Sequence, residues 1–318
     1  MPVLSHDLPF DPTHGYSPEA LLAVMSPEPP GDFADFWRRR HAAAMACDPR
    51  PWLRRSTLRA AGVRVYDCGY QSTDAFPIGG WLVLPESQPV TRGLVVSHGY
   101  GGRDGPDLDW SLPGTALLFP CCRGLCRSAR HPVSTDPAYH VLHDIDKRDR
   151  YILGGCVEDI WLGVSLLLDL YPALAGHVGF MGISFGGGVG VMALPWDERL
   201  VRAHVNVPSF GHQSLRVTLP SRGSNASVAA FQARHGHALE TLRYYDAASA
   251  ARFVRVPVHV AAAAFDPVVP PAGQYAVYNA LAGPKRLFPL TAGHHPWPGQ
   301  AEEEQRLRED VVAFFSEL

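Results

Sequence analysis

The feature that most constrains this chain is a rhythm of short apolar runs separated by stretches of helical periodicity. GLVVSHG (93–99) and TALLFPCC (115–122) are nearly continuous in apolar residues, and HVGFMGI (177–183), LVRAHVNVP (200–208), VPVHVAAAAFD (256–266) and KRLFPL (285–290) follow later in the chain. Runs of that length without polar alternation belong to strands covered on both faces. Between them CVEDIWLGVSLLLDLY (156–171), FGGGVGVMAL (185–194), a stretch near 271–282 and the closing stretch 301–317 repeat apolar residues at helical spacing. Strands alternating with helices predict a mostly parallel sheet sandwiched by helices.

Two regions depart from the rhythm. Residues 1–60 form an N-terminal extension, in which FADFWRRRHAAAMA (33–46) predicts a helix with Phe33, Phe36, Trp37 and Ala44 on one face. The β-rich runs VRVYDCGY (63–70) and IGGWLVLP (78–85) come next. Residues 209–252 hold no convincing strand and predict a helical insertion over one end of the sheet. The whole of 1–318 is expected to form a single domain.

Charge narrows the partners. With 28 Lys+Arg against 31 Asp+Glu, scattered along the chain, the net charge is -3, which argues against nucleic acid or an anionic membrane. The N-terminal MPVLSHDLPFDPTHGY has no apolar leader segment, and no run approaches the roughly 18 apolar residues that span a bilayer. A cytoplasmic protein with a small, roughly neutral partner is expected. Six cysteines without paired spacing are expected to stay reduced. Cys121, Cys122 and Cys126 are their one cluster, and buried thiols there read as small hydrophobes.

The motif that carries chemistry is GISFG at 182–186, a G-x-S-x-G sequence between a predicted buried strand and a predicted helix. That context makes Ser184 a candidate nucleophile on a strained strand-to-helix turn. A serine hydroxyl needs a base to take its proton and a carboxylate to orient that base. Asp266 ends the run VPVHVAAAAF, and His294 lies in TAGHHPWPG just after KRLFPL. The order Ser184, Asp266, His294 is that of an α/β-hydrolase fold. His295 is the alternative base, and Asp246 a weaker alternative acid. Phe185 N–H, next to the nucleophile, and Tyr100 N–H, in HGYGG after the strand GLVVS, are the expected oxyanion donors. Tyr100, Phe185 and Pro208 are expected to line the substrate site. HVLHDID offers His140, His143 and Asp144 at ligand-like spacing, the basis of a competing metal-hydrolase reading. The leading reading requires no metal and no cofactor. A peptidase, a dienelactone hydrolase and a non-catalytic binding protein are further alternatives on the elbow alone.

These residues, with DFADFW, IGGWLVLP, CRGLC, TLRYYD, FDPVVPP and YNALAGPK, resemble the acetyl xylan esterase and cephalosporin C deacetylase family (carbohydrate esterase family 7) over nearly the whole chain. The resemblance implies removal of acetyl groups from small sugar esters or cephalosporins through an acetyl-serine intermediate, and a homo-oligomer, commonly a hexamer, with sites facing an internal cavity. Three positions depart from the family pattern. Leu125 and Phe185 each replace a Gln, and His295 replaces a Glu. Those changes bear on specificity rather than on the bond-breaking step.

Overall fold

The computed structural model describes residues 4–110 and 112–318; Met1, Pro2 and Val3, which open the N-terminal extension, and Ser111 lie outside the described residues. Its centre is a nine-stranded sheet: β1 (Trp52–Arg55), β2 (Val63–Gln71), β3 (Pro77–Pro85), β4 (Arg92–Val96), β5 (Thr115–Pro120), β6 (Val178–Ile183), β7 (Leu200–Asn206), β8 (Val258–Ala263) and β9 (Lys285–Leu290). They lie in the order β1-β2-β3-β5-β4-β6-β7-β8-β9. From β5 through β9 all neighbours are parallel, and β1, β2, β3 and β5 are antiparallel. The six runs read from the sequence form β4 to β9, and every residue of β5 and β8 is buried, because helices cover both faces.

One face carries the larger core, under the helices Phe33–Met45, Ile152–Leu170, Phe185–Ala193 and Pro271–Ala280. The other face packs Trp81, Phe119 and Met181 against Val311 and Phe315 of the C-terminal helix Gln300–Phe315. Phe33, Phe36, Trp37 and Ala44 are buried as their spacing predicts. Trp37 stands edge-on to Trp161, with ring centroids 6.2 Å apart, and its indole N–H donates to Tyr244 O at 3.1 Å. The helix Phe33–Met45 is thereby fastened to both the central helix and the 209–252 segment.

That segment is helical: Gln213–Arg216, Ser224–His235, Ala238–Leu242 and Ala247–Ala251. Several boundaries differ from the sequence reading, and the strands read over 93–99, 200–208 and 256–266 end at Val96, Asn206 and Ala263. The central helix starts at Ile152 rather than 156. The strand expected over 115–122 ends at Pro120. β1 was not expected, because all four of its residues are exposed and show no alternation; its antiparallel register with β2, Trp52 opposite Gly69, places it. No helix of the described residues is long and apolar enough to cross a membrane.

Candidate active site

The elbow is set by backbone geometry. Ser184 has φ 53° and ψ -114°, a conformation that costs a non-glycine residue of order 1–3 kcal/mol and persists only where its surroundings over-determine it. They do so here. Ser184 N–H donates to Asn206 O at 2.8 Å, and Ser184 O accepts from Gly188 N–H and Ser209 N–H, both at 3.0 Å. The glycine at 186 answers a close approach, since a Cβ there would sit 2.6 Å from His98 O and from Ser97 Oγ. At 188 a Cβ would meet Ser209 O at 2.1 Å. The glycines let the helix that begins at Phe185 press against the loops after β4 and β7.

Ser184 Oγ lies 3.0 Å from His294 Nε2, and His294 Nδ1 lies 2.9 Å from Asp266 Oδ2. Asp266 is fully buried, and its carboxylate is saturated with donors. Val268 N–H and Val269 N–H reach Oδ1 at 2.8 and 2.9 Å, while Gln274 Nε2 reaches Oδ2 at 2.9 Å. With Oδ2 facing it, the imidazole keeps its proton on Nδ1 and presents Nε2 to the serine as an acceptor. Burial pushes the His294 pKa down, but the hydrogen bond and charge of Asp266 raise it by more, so the net shift is upward from 6.5. The His294 side chain stays 26% exposed, so the imidazole is open to solvent on one side. His295 stands apart, its Nε2 directed to Ser5 O at 3.3 Å and its ring against Phe265. Asp246 is spent as a helix cap and accepts from the backbone N–H of His212, Gln213 and Ser249.

The loop after β4 reaches the elbow directly. Gly186 N–H donates to His98 O at 3.1 Å, and a Cβ on Gly99 would lie 3.6 Å from Ser184 Cβ. No hydrogen bond from the N–H of Tyr100 or Phe185 is found among the described residues, and Phe185 directly follows the serine in the chain. The Phe185 ring is fully buried, 4.2 Å from the Tyr100 ring between centroids. The expected lining role of the Phe185 side chain therefore meets a ring closed off from solvent. Pro208 is buried with its Cα near Gly187, and Leu125 is buried in the core.

His140, His143 and Asp144 do not assemble as a ligand set. His140 is buried, and burial pushes its pKa down to about 4, so it is neutral. Its Nε2–H donates to Arg123 O at 2.9 Å, which leaves Nδ1 to accept from Tyr100 Oη at 3.1 Å. Asp144 pairs with Lys147 and Arg150. Sequence reasoning read this histidine by its local spacing, whereas its partners lie at positions 100 and 123. It also missed what holds Arg123. The guanidinium is buried and doubly bonded to Asp159, with Nη2 2.7 Å from Oδ1, and it donates to Ser72 and Thr73 hydroxyls at 2.9 Å. Gly155 leaves room for it, since a Cβ there would lie 2.2 Å from Arg123 Nη1. The Arg–Gly pair in CRGLC was the one visible signal.

The fold resembles that of several esterases and peptidases. An acetyl xylan esterase from Paenibacillus sp. R4 superposes with a TM-score of 0.81 at 23% identity, covering 93% of this chain and 99% of that one. Acetyl xylan esterase 1 from Thermoanaerobacterium sp. JW/SL YS485 gives 0.78 at 19% identity, covering 95% and 99%. An acylaminoacyl peptidase from Pyrococcus horikoshii gives 0.60 at 16% identity, covering 85% of this chain but 41% of its own. These likenesses establish an α/β-hydrolase fold. The family model for acetyl xylan esterase (AXE1) matches residues 4–309, and the chain belongs to that family.

Proposed function

We propose that the protein is a serine esterase that removes acetyl groups from small sugars, xylo-oligosaccharides or cephalosporin C through an acetyl-serine intermediate. The observation that most supports this is the unbroken contact chain from Asp266 through His294 to Ser184, in a member of the acetyl xylan esterase family. Neutral His294 takes the Ser184 proton as Oγ attacks the acetyl carbonyl. Asp266 holds the ring and stabilises the imidazolium that forms. The N–H groups of Tyr100 and Phe185 receive the oxyanion. His294 then protonates the departing alcohol, and water attacks the acetyl-serine by the same sequence to release acetate. Tyr100 and Pro208 are the proposed walls of the acyl site.

The proposal extends to a cytoplasmic homo-oligomer, a hexamer by the family resemblance. Six free cysteines suit a reducing compartment. Trp52 and Leu53, 51% and 38% exposed on the edge strand β1, suit burial against a second copy.

A panel of p-nitrophenyl esters from acetyl to octanoyl, beside acetylated xylose and cephalosporin C, tests the reading. The expected result is fastest turnover on acetyl esters with acetate released. Preference for octanoyl esters, or cleavage confined to peptide amides, rejects it.

A further inference from the structure

The chain folds back after β5 in a way that gathers thiols beneath the loop holding Tyr100. Gly124 (φ 83°) and Cys126 (φ 49°) both take left-handed backbone. Leu125 N–H donates to Cys122 O at 3.0 Å, and Ser128 Oγ donates to Cys121 O at 2.7 Å. The turn returns Cys126 to the end of the strand, so that Cys121 Sγ, Cys126 Sγ and a His98 ring nitrogen all lie within 4.8 Å of one another. Cys121 is fully buried and Cys126 half-buried, so Cys126 is the member of the pair nearer solvent.

His98 does not complete a metal site. Its Nδ1–H donates to Gly99 O at 2.7 Å and its Nε2 accepts from Cys122 N–H at 3.1 Å, which uses both nitrogens. The surroundings instead suit an anionic sulfur. Arg103 N–H donates to Cys126 Sγ at 3.2 Å, and the Arg103 side chain is buried with Nε and Nη1 unpartnered. The thiol of Cys126 is held below the usual cysteine range, first by a hydrogen bond from Cys121 and then by the Arg103 N–H and charge; Cys121 is correspondingly pushed up. A thiolate beside a cation, next to a second thiol, is the arrangement of a peroxide-reactive cysteine with its resolving partner.

We propose that Cys126 is an oxidation site for hydroperoxides and that Cys121 resolves it, forming a disulfide that loosens the Tyr100 loop. The Cys126 thiolate attacks one peroxide oxygen, so an S–O bond forms, the O–O bond breaks and the departing alkoxide takes a proton from solvent. Cys121 then loses its proton and attacks the Cys126 sulfur; the S–S bond forms and the hydroxyl leaves as water. In sum two thiols lose two electrons and the hydroperoxide is reduced to an alcohol and water. Closing the bond draws the sulfurs to about 2.05 Å, which pulls Cys126 Sγ away from Arg103 N–H. That sulfur also fills the space beside Gly102, where a Cβ would lie 2.6 Å from it. The His98–Arg103 loop thus loses the anchor that sets Tyr100 N–H. This last consequence rests on the esterase reading, whereas the disulfide does not.

The test is peroxide treatment of the purified full chain, alkylation of the remaining thiols, and mass spectrometry of unreduced peptides. A Cys121–Cys126 crosslink reversed by dithiothreitol is expected, with Cys47 still alkylated. In Cys121→Ser, dimedone should label Cys126. Cys126→Gly, which suits the left-handed backbone, should give no crosslink and turnover insensitive to peroxide. In the wild type kcat on p-nitrophenyl acetate should fall roughly ten-fold on oxidation, less than the 10²–10³ that loss of an oxyanion donor costs, and recover on reduction. Both thiols remaining alkylated at peroxide levels that oxidise Cys47 overturns the proposal, as does a stoichiometric bound metal that protects them until chelation. A crosslink with unchanged kcat overturns the coupling to the loop. A crosslink in a protein without esterase activity in either state rejects the esterase reading and leaves the thiol site standing.

Discussion

Gln274 Nε2 and Asp266 Oδ2 are 2.9 Å apart, and the same carboxylate oxygen receives His294 Nδ1. The Gln274 carbonyl in turn accepts Ala263 N–H at 2.8 Å at the end of β8. The helix Pro271–Ala280 thus holds the carboxylate in register with the strand that carries it. Asp266 cannot swing toward solvent without leaving several buried donors unpaired, so His294 meets a fixed partner.

Replacing the nucleophile, Ser184→Ala, should lower kcat on p-nitrophenyl acetate by about 10⁴ or more, and Asp266→Asn by about 10⁴ through the wrong tautomer of His294. Circular dichroism checks that each variant keeps its fold. Near-normal turnover in either one would remove the assignment.

The two adjacent histidines should separate cleanly. His294→Ala should match the loss in Ser184→Ala, while His295→Ala should change kcat by no more than a few-fold, because its ring contacts Phe265 and Ser5 O rather than the serine. Steady-state kinetics of the pair decides between them.

Activity should fall on the acid side as His294 gains a proton, since only the neutral ring can accept from Ser184. The net upward shift of its pKa from 6.5, driven by Asp266 against burial, places that acid limb above pH 6.5. Removing the raising charge in Asp266→Asn should move the limb of the residual activity to lower pH. A kcat/KM profile that stays flat down to pH 5 would contradict the role given to His294.

Tyr100→Phe distinguishes a backbone donor from a hydroxyl. The N–H survives, so kcat should drop less than ten-fold, well short of the cost of a lost oxyanion donor. The buried His140 Nδ1 would lose its partner, costing about 1–3 kcal/mol of stability. Urea unfolding read beside turnover measures both effects.

Arg123→Leu should destabilise the protein by about 3–5 kcal/mol, because it strands the buried carboxylate of Asp159. The neighbouring Glu158, whose pKa burial already raises, keeps Arg40 at 2.6 Å. Thermal unfolding compared with Arg40→Leu reads the difference; equal midpoints to wild type would show that the pair is dispensable.

The sequence alone determined the strand rhythm, the elbow at Ser184 and the placing of Asp266 and His294 just after strand ends. Each of those follows from local physics: apolar runs mark strands buried on two faces, and glycines mark a backbone with no room for Cβ. Edge strand β1 escaped notice because an exposed strand needs no apolar pattern, only a partner's free backbone groups. Tertiary structure alone decided which histidine faces the serine, why His140 serves Tyr100 and not a metal, and that Cys126 returns to Cys121. Those outcomes rest on where side chains far apart in the chain converge, and convergence depends on register, loop path and left-handed turns such as that at His294 (φ 48°), none of which leaves a periodic trace in the residue pattern.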